Sequence, residues 1–466
     1  MKTKVLIILI ILIGLGGGGY IFWEKQKSIT GVEWFQTENT QKITQLKTKQ
    51  TSKLEDNRIG LFFPNLWDPE MYAFPDGVLD ADHILKLGVK RVRLAINTLD
   101  SNNQYCPIYW SKSELSIDPS HDDLITSLAD NGVTMTYVLI FWDIDYVAGG
   151  GEINIPRFKT EEEILRYLNF VRFIVHHFKD RIEYYEIWNE PNIDNTIQWI
   201  EVEDYINLVK RAVPVIREEY PDAKIVVGST SELSDPYSQN YLFSILRSDI
   251  MPLVDVVSWH PMYGNSPEYD GEYYYNYPSL VQEIKDVASA HGFEGEYEGG
   301  ELNWCILDQA DLDHPGNAYS ETVSAKYYAR GIVMQLGMDI STSIILMVDK
   351  PQVFHTSQNL CTLMAGANPI ELPIEIQSEA TNIRSYSFSL SNGDKLIALW
   401  TDGVAVDDDS GVSTTLTIPN FSAQKVIGID VLNGYQQSII ASNENGDLVI
   451  KDLIVRDYPL ILQINK

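Results

Sequence analysis

The sequence predicts an α/β protein in which a (β/α)8 TIM barrel is followed by a small C-terminal β-sandwich. The chain has 466 residues, which exceeds the roughly 250 residues of one such barrel and leaves room for a second module. From Asn57 onward, short apolar runs alternate with amphipathic helical stretches, a pattern typical of a parallel sheet covered by helices. After residue 368 this pattern is replaced by alternating polar and apolar residues with Asn-Gly turns. We therefore expect the barrel over residues 57–368 and the sandwich over residues 369–466.

Eight short apolar runs of β type predict the strands of the barrel. The runs span residues 58–63, 90–96, 133–141, 182–188, 224–228, 254–260, 295–301 and 343–348. Between them lie amphipathic stretches such as 161–178 and 202–219, whose apolar residues recur every three or four positions. Eight strand–helix units favour a closed barrel over an open sheet. No GxGxxG follows the first strand and no GxxxxGK[ST] occurs, so the two commonest nucleotide-binding folds are disfavoured.

The C-terminal region predicts antiparallel hairpins. Residues 385–390 alternate polar and apolar side chains, and Asn392-Gly393 then turns the chain into residues 395–400. The same pattern continues in segments 414–418, 425–431 and 448–455. Alternation with Asn-Gly turns is the signature of paired strands. No Pro/Ser-rich linker precedes this region, so we expect it to pack on the barrel.

The first 23 residues predict a membrane anchor or a signal segment. Residues 5–23 carry no charge over 19 positions, close to the ~20 apolar residues that span a bilayer. The run is longer than the apolar core of a cleaved signal, and Tyr20 and Trp23 lie where interfacial aromatic residues lie. Glycines within the run leave cleavage open. Residues 24–56 are polar and predict a stalk, with a short helix packed on the body as the alternative.

Composition excludes several classes of function. The chain has 35 Lys+Arg against 65 Asp+Glu, a formal net charge of −30, which argues against a nucleic-acid-binding protein. Its three cysteines, Cys106, Cys305 and Cys361, form no CxxC motif, which excludes a disulfide scaffold and a cysteine-type zinc site. The pair His176–His177 lacks an HExxH context. We expect no metal ion and no organic cofactor.

Carboxylates at two strand ends form the candidate catalytic pair. Catalytic residues of such barrels lie at the C-terminal ends of the strands. The fourth predicted strand ends in W-N-E-P-N at positions 188–192, and the seventh ends at Glu301. Two carboxyl groups in one pocket can cleave a glycosidic bond, since one protonates the leaving oxygen while the other attacks the anomeric carbon. Mutual repulsion separates their pKa values and so assigns the acid and the base.

The W-N-E-P-N string resembles the acid/base motif of the large clan of retaining glycoside hydrolases with (β/α)8 barrels. In that clan an Asn-Glu pair ends strand four and a second Glu ends strand seven. The resemblance implies that Glu190 is the acid/base, that Asn189 binds the sugar 2-hydroxyl, and that Glu301 is the nucleophile. The barrel followed by a sandwich most resembles family 39, the β-xylosidase and α-iduronidase group, with family 5-like enzymes nearly as close.

Three further residues resemble positions of the same clan. Arg93, on the second predicted strand, resembles the arginine that holds the nucleophile ionised. His260 and Tyr263, at the end of the sixth, resemble a His-x-x-Tyr pair that lines the pocket. The seventh strand departs from the clan pattern, because Gly300 precedes the glutamate where a threonine is usual. Glu298 therefore stays open as an alternative nucleophile.

Tryptophans at strand ends are candidate platforms for sugar rings, because aromatic faces stack on the apolar faces of pyranoses. The candidates are Trp142, Trp188, Trp259 and Trp304. We expect Trp304 and Trp142 to bind substrate. Packing in the core is the alternative for each of them.

Together these features predict a retaining glycoside hydrolase that acts by double displacement on an oligosaccharide or polysaccharide. The expected partners are a carbohydrate substrate and, through the N-terminal segment, a membrane; nucleic acid is not expected. The body would be extracellular, either anchored by a single pass or secreted. The alternative is a non-catalytic cell-surface protein that binds glycans through a degenerate barrel.

Overall fold

A computed structural model describes most of the chain beyond residue 34. The described residues are 35–37, 39–64, 73–74, 77–78, 81–95, 108–111, 114–141, 155–194, 196–304, 319–346 and 351–465. The predicted anchor over residues 1–23 lies outside these ranges. Within them, no helix combines the length and the hydropathy that a membrane crossing requires.

Eight parallel strands close into a barrel within the described residues. They are β1 (Ile59–Pro64), β2 (Arg91–Ala95), β3 (Thr134–Val138), β4 (Tyr184–Glu186), β5 (Lys224–Thr230), β6 (Val256–Trp259), β7 (Glu296–Asn303) and β8 (Ser341–Ile344). Each strand pairs in parallel with the next along the chain, and β8 pairs with β1. Their branched side chains pack against the helices outside, as parallel strands covered by helices require. The predicted eight-stranded barrel is confirmed.

One helix follows each strand of the barrel. The helices are α1 (Ala81–Leu87), α2 (Pro119–Asp130), α3 (Glu161–Phe178), α4 (Val202–Glu219), α5 (Pro236–Leu246), α6 (Gly271–Ala290), α7 (Glu321–Gly337) and α8 (Pro351–Leu363). Several begin at a residue whose side chain accepts a hydrogen bond from a free N–H of the first turn. Thr160 accepts from Glu163 at the start of α3, and Ser320 accepts from Val323 at the start of α7.

The C-terminal region forms two antiparallel sheets that face each other. Its strands are β9 (Asn368–Ile370), β10 (Glu375–Ser378), β11 (Ile383–Ser389), β12 (Lys395–Thr401), β13 (Val412–Ile418), β14 (Lys425–Asp430), β15 (Tyr435–Ile439), β16 (Ser442–Glu444), β17 (Asp447–Val455) and β18 (Leu460–Asn465). One sheet has the order β15-β14-β18-β12-β11-β9, and the other has the order β10-β13-β17-β16. Leucine and isoleucine side chains from both sheets share one core, which agrees with the predicted sandwich.

The described part of the predicted stalk, residues 35–56, is packed against the body instead of extending away from it. Phe35 is 1% exposed within the sandwich core. The side-chain amide of Gln36 donates to two backbone carbonyls of the sandwich, and its own oxygen accepts a third hydrogen bond. Thr44–Gln45 adds a seventh strand beside β15. The polar side chains of this segment therefore serve to pair it with the sandwich, which a polar composition alone did not indicate.

The same segment then joins the sandwich to the barrel. Thr51 Oγ1 donates to the carbonyl of Val89, which precedes β2. Asn57 Nδ2 donates to the carbonyls of Gly88 and Cys361 at 2.8 and 3.0 Å. These buried bonds tie the entry into β1 to both α1 and α8.

Buried cations of α7 join the barrel to the sandwich. Arg330 is fully buried, and its Nε and Nη1 donate to the carbonyls of Asp457 and Gly403 at 2.7 and 2.6 Å. Lys326 pairs with the Asp457 carboxylate at 2.7 Å. Unpaired charges at this depth would be costly, so these bonds fix the sandwich on one side of the barrel.

Candidate active site

The C-terminal ends of four strands bring the predicted residues together. Arg93 lies on β2, Glu190 follows β4, His260 follows β6 and Glu301 lies near the end of β7. Each is connected to at least one of the others by a hydrogen bond or ion pair. This is the face of the barrel on which catalytic sites are built.

The chain after β4 takes an unusual backbone path that aims Glu190 into the site. Trp188 and Glu190 both have positive φ, at 70° and 46°, a conformation that costs on the order of 1–3 kcal/mol for residues with side chains. The Glu190 N–H donates to the Ser229 carbonyl at 2.8 Å. Asn192 accepts from the N–H of Ser231 and so ties this turn to the end of β5. The surrounding bonds hold a strained turn, a feature typical of functional sites.

The carboxylates of Glu190 and Glu301 face each other. Oxygen atoms of the two, together with a ring nitrogen of His260, all lie within 4.8 Å of one another. The hydroxyl of Tyr263 donates a short hydrogen bond to Glu301 Oε2 and lies 3.3 Å from Glu190 Oε1. His260 Nδ1 lies 2.9 Å from Glu190 Oε1 and 2.8 Å from the Tyr263 hydroxyl. An oxygen of each carboxylate within 4.8 Å of the other is consistent with a retaining mechanism, in which carboxyl groups ~5–5.5 Å apart let one of them attack the anomeric carbon directly.

Arg93 is fully buried and shared between two carboxylates. Its Nη1 donates to Glu301 Oε1 at 2.7 Å, while Nε and Nη2 hold both oxygens of Glu186. Nη2 also donates to Asn189 Oδ1 at 2.7 Å. Burial lowers the pKa of Arg93, but the charges and hydrogen bonds of Glu186 and the charge of Glu301 outweigh burial and raise it. Arg93 is therefore a permanent cation that stabilises negative charge on Glu301.

Glu298, the alternative nucleophile, lies deeper in the barrel. It sits within the body of β7, where it is 4% exposed, and it accepts from Ser343 Oγ at 3.2 Å. Burial, reinforced by the charge of Glu186, raises its pKa. A nucleophile must be ionised, and a raised pKa opposes this. The geometry favours Glu301 over Glu298 for attack on a substrate.

A bulge in β7 explains how both glutamates face inward although they are three residues apart. Alternate residues of a strand face opposite sides, so Glu298 and Glu301 would diverge in a regular strand. Between Gly299 and Leu302, however, the register against β8 shifts by one residue. Gly300 lies at this bulge, and a Cβ there would come within 3.2 Å of the His260 ring. The glycine that departs from the clan pattern thus makes room for His260.

Gln198 is a site residue that the sequence did not reveal. It lies in the loop after β4, donates from Nε2 to Glu190 Oε2 at 3.3 Å and accepts from Asn189 Nδ2 at 3.0 Å. Burial by itself raises the pKa of Glu190, but the hydrogen bond and electrostatic interaction with His260, the Gln198 bond and the charge of Arg93 together lower it below its usual value. A glutamine in a polar loop carries no sequence signal of this kind.

Glu186 was also missed, although a signal existed. It is fully buried and is the main partner of Arg93. A glutamate between Tyr185 and Ile187, inside an otherwise apolar strand, needs a buried cation as its partner. That inference could have paired it with Arg93 before the structure was known.

The structure does not support Trp304 as a sugar platform. Its ring is 0% exposed, it lies against Gly331 and Tyr328 of α7, and its Nε1 donates to the Asn265 carbonyl. The ring has no free face, because β7 turns it toward the helix layer and away from the carboxylates of Glu190 and Glu301. Trp188 and Trp259 are likewise fully buried. Trp142 lies outside the described residues.

Glu190, His260 and Glu301 are also the group that comes nearest to a metal site among the described residues. The three candidate ligand atoms lie within 4.8 Å of one another. Their oxygen atoms are already used by Arg93 and Tyr263. The arrangement is better suited to proton transfer and covalent attack than to metal binding.

The fold is similar to that of solved glycoside hydrolases. No family model and no curated protein matches the sequence. A family 39 glycoside hydrolase from the gut symbiont Bacteroides cellulosilyticus WH2 superposes with a TM-score of 0.61 at 15% identity, over 90% of this chain and 82% of that chain.

Two further structures superpose over nearly their whole length. A GH30 endoxylanase from Clostridium papyrosolvens C71 gives a TM-score of 0.54 at 13% identity, over 91% of this chain and 100% of that chain. A glucosidase from Croceicoccus marinus gives 0.55 at 12% identity, over 91% and 98%. At such low identity these likenesses establish the shared fold, a (β/α)8 barrel with a sandwich.

Proposed function

We propose that this chain is a retaining glycoside hydrolase that cleaves O-glycosidic bonds of an oligosaccharide or polysaccharide. The observation that carries the proposal is the facing pair Glu190 and Glu301, with oxygen atoms within 4.8 Å, at the C-terminal end of the barrel. The likeness of the whole fold to a family 39 hydrolase, an endoxylanase and a glucosidase supports it. An extracellular location, anchored or secreted, belongs to the same proposal.

In the proposed first step Glu301 attacks the anomeric carbon while Glu190 protonates the leaving oxygen. The glycosyl–oxygen bond breaks, and a covalent bond forms between the sugar and Glu301. Arg93 and Tyr263 each donate to one oxygen of Glu301, so they orient the attacking carboxylate. In the second step Glu190 takes a proton from water, which attacks the same carbon and releases Glu301 with net retention of configuration.

The direct test treats the purified protein with nitrophenyl glycosides, β-glycans and 2-fluoro glycosyl fluorides. We expect turnover of at least one sugar class and a fluorosugar adduct on a peptide that contains Glu301. The sugar that reacts would name the substrate. Binding of a glycan without turnover or labelling would contradict the proposal and favour the glycan-binding alternative.

The pH dependence of kcat/KM is a second test. Glu190 must be protonated to act as the acid, and its pKa lies below the usual value in the free site. Because kcat/KM reports the pKa of groups in the free enzyme, activity should fall as the pH rises through that low pKa. We therefore expect a pH optimum in acidic solution. A plateau that extends above neutral pH would contradict the role of Glu190 as the acid.

A further inference from the structure

The backbone of Gln198 is held in place independently of its side chain. Its carbonyl accepts from the indole Nε1 of the buried Trp188 at 2.7 Å. Its N–H donates to Thr196 Oγ1 at 3.2 Å. The side chain is half-buried, and it is free to be exchanged without releasing the loop.

A directed row of hydrogen bonds runs from Arg93 to Glu190 through two amides. A guanidinium has donors only, so Arg93 Nη2 holds the oxygen of Asn189 toward itself. The amino group of Asn189 then faces Gln198 Oε1 at 3.0 Å. The Gln198 amino group is left to donate to Glu190 Oε2 at 3.3 Å. Each amide can take only one orientation in this row, and the fixed charge of Arg93 selects it.

We propose that Gln198 is a positioning residue. Arg93 fixes the orientation of the Asn189 amide, which fixes that of Gln198, so that the Gln198 amino group donates to the carboxylate of Glu190. This hydrogen bond sets the proton affinity of that carboxylate. The proposal rests on the proposed function, in which Glu190 is the acid/base. It assigns a role in the reaction to a loop residue outside the motif. As a consequence, the loop after β4 determines the pH range in which Glu190 is protonated and can act as the acid.

The two oxygens of Glu190 have separate partners, which makes the proposal testable. Oε1 faces His260 and Tyr263 from β6 and the segment after it, while Oε2 accepts from Gln198 at 3.3 Å and lies 3.5 Å from the amino group of Asn189. The other nearby charges are Arg93 on β2 and Glu301 on β7. A change at Gln198 therefore acts on Oε2 and leaves the partners of Oε1 in place.

The experiment replaces Gln198 with Met, which has a similar length but no polar atoms, and with Glu, which adds a like charge. The titration of Glu190 is followed by carboxyl 13C NMR of the full chain labelled in glutamate, with the signal assigned by Glu190→Gln. Loss of an N–H donor to a carboxylate should raise its midpoint by about one pH unit in Gln198→Met. The midpoint should rise further in Gln198→Glu because like charges oppose ionisation. The basic limb of kcat/KM should move with it.

Gln239→Met is the matched control. Gln239 is also a half-buried glutamine that follows a barrel strand, and its side chain donates to the Leu233 carbonyl. It should leave the Glu190 midpoint unchanged. An unchanged midpoint in both Gln198 variants, even with lower stability, would overturn the proposal. The NMR titration does not need turnover, so a protein that is inactive on every glycoside would contradict the proposed function while the role of Gln198 is still decided.

Discussion

Glu301→Ala is expected to abolish glycoside hydrolysis, with a loss of roughly ten-thousand-fold or more in kcat. The variant removes the carboxylate that would form the covalent bond to the sugar. It should still fold, because Arg93 keeps Glu186 and Asn189 as partners. Sodium azide should restore part of the turnover of an activated aryl glycoside. The product should be a glycosyl azide of inverted configuration, since the anion attacks from the space that the side chain has left.

Glu298→Gln is the matched control for this experiment. It replaces a buried carboxyl group, whose raised pKa favours the protonated form, by an amide of the same shape. Both residues lie on β7 and both are buried. We expect Glu298→Gln to keep turnover within about tenfold of the parent, as for a change that creates no cavity and no unpaired charge. Azide rescue of Glu298→Ala without rescue of Glu301→Ala would assign the nucleophile to Glu298 instead.

The barrel could be predicted because its strands are buried on both sides. Such strands appear as short apolar runs, and each of the eight predicted runs overlaps one strand of the sheet. Position at strand ends, together with the resemblance of W-N-E-P-N and of the His-x-x-Tyr pair to motifs of the glycoside hydrolase clan, then selected Glu190 and His260, which the structure places 2.9 Å apart. Their chemical roles stay predictions until activity is measured.

What the sequence did not indicate depends on contacts between distant segments. Gln198 joins the site through a loop whose path no local pattern specifies. The bulge in β7, which turns both Glu298 and Glu301 inward, is a register shift against β8 and has no signature apart from Gly300. Trp304 lies three residues beyond Glu301, an odd separation that places the two side chains on opposite faces, and the helix layer then covers the indole ring.

The segment 35–56 shows the limit of composition as a guide. Its lysines, glutamines and threonines resemble a linker, yet Gln36 and Asn39 use their amides to bind backbone carbonyls of the body. Polar side chains can pair a segment with a sheet edge as well as solvate it. Only the position of the partner carbonyls distinguishes the two outcomes.

Arg93→Met is expected to cost about 3–5 kcal/mol of stability at neutral pH, the typical effect of leaving a buried carboxylate without its cation. Glu186 is fully buried and loses two donors, and Glu301 loses one. Protonation removes the unpaired charge, so the loss should shrink as the pH is lowered. The measurement is the urea unfolding midpoint of parent and variant at neutral and at acidic pH. Activity should also fall, since Glu301 loses the donor that orients its carboxylate.

Arg91→Met is the matched control for Arg93→Met. It also removes an arginine from β2, but one whose carboxylate partners are exposed, so the comparison isolates the effect of burying the partners. Arg91 lies two residues earlier on the same face of β2, but its partners Asp56 and Glu296 have side chains that are 50% and 52% exposed. Water can solvate those carboxylates after the substitution, so the cost should be at most about 1 kcal/mol. Equal losses of stability in Arg93→Met and Arg91→Met would contradict a buried charge network at the base of the site. A loss of stability in Arg93→Met that does not depend on pH would contradict it as well. A large, pH-dependent loss confined to Arg93→Met would mean that the cation supporting Glu301 also holds the centre of the barrel together.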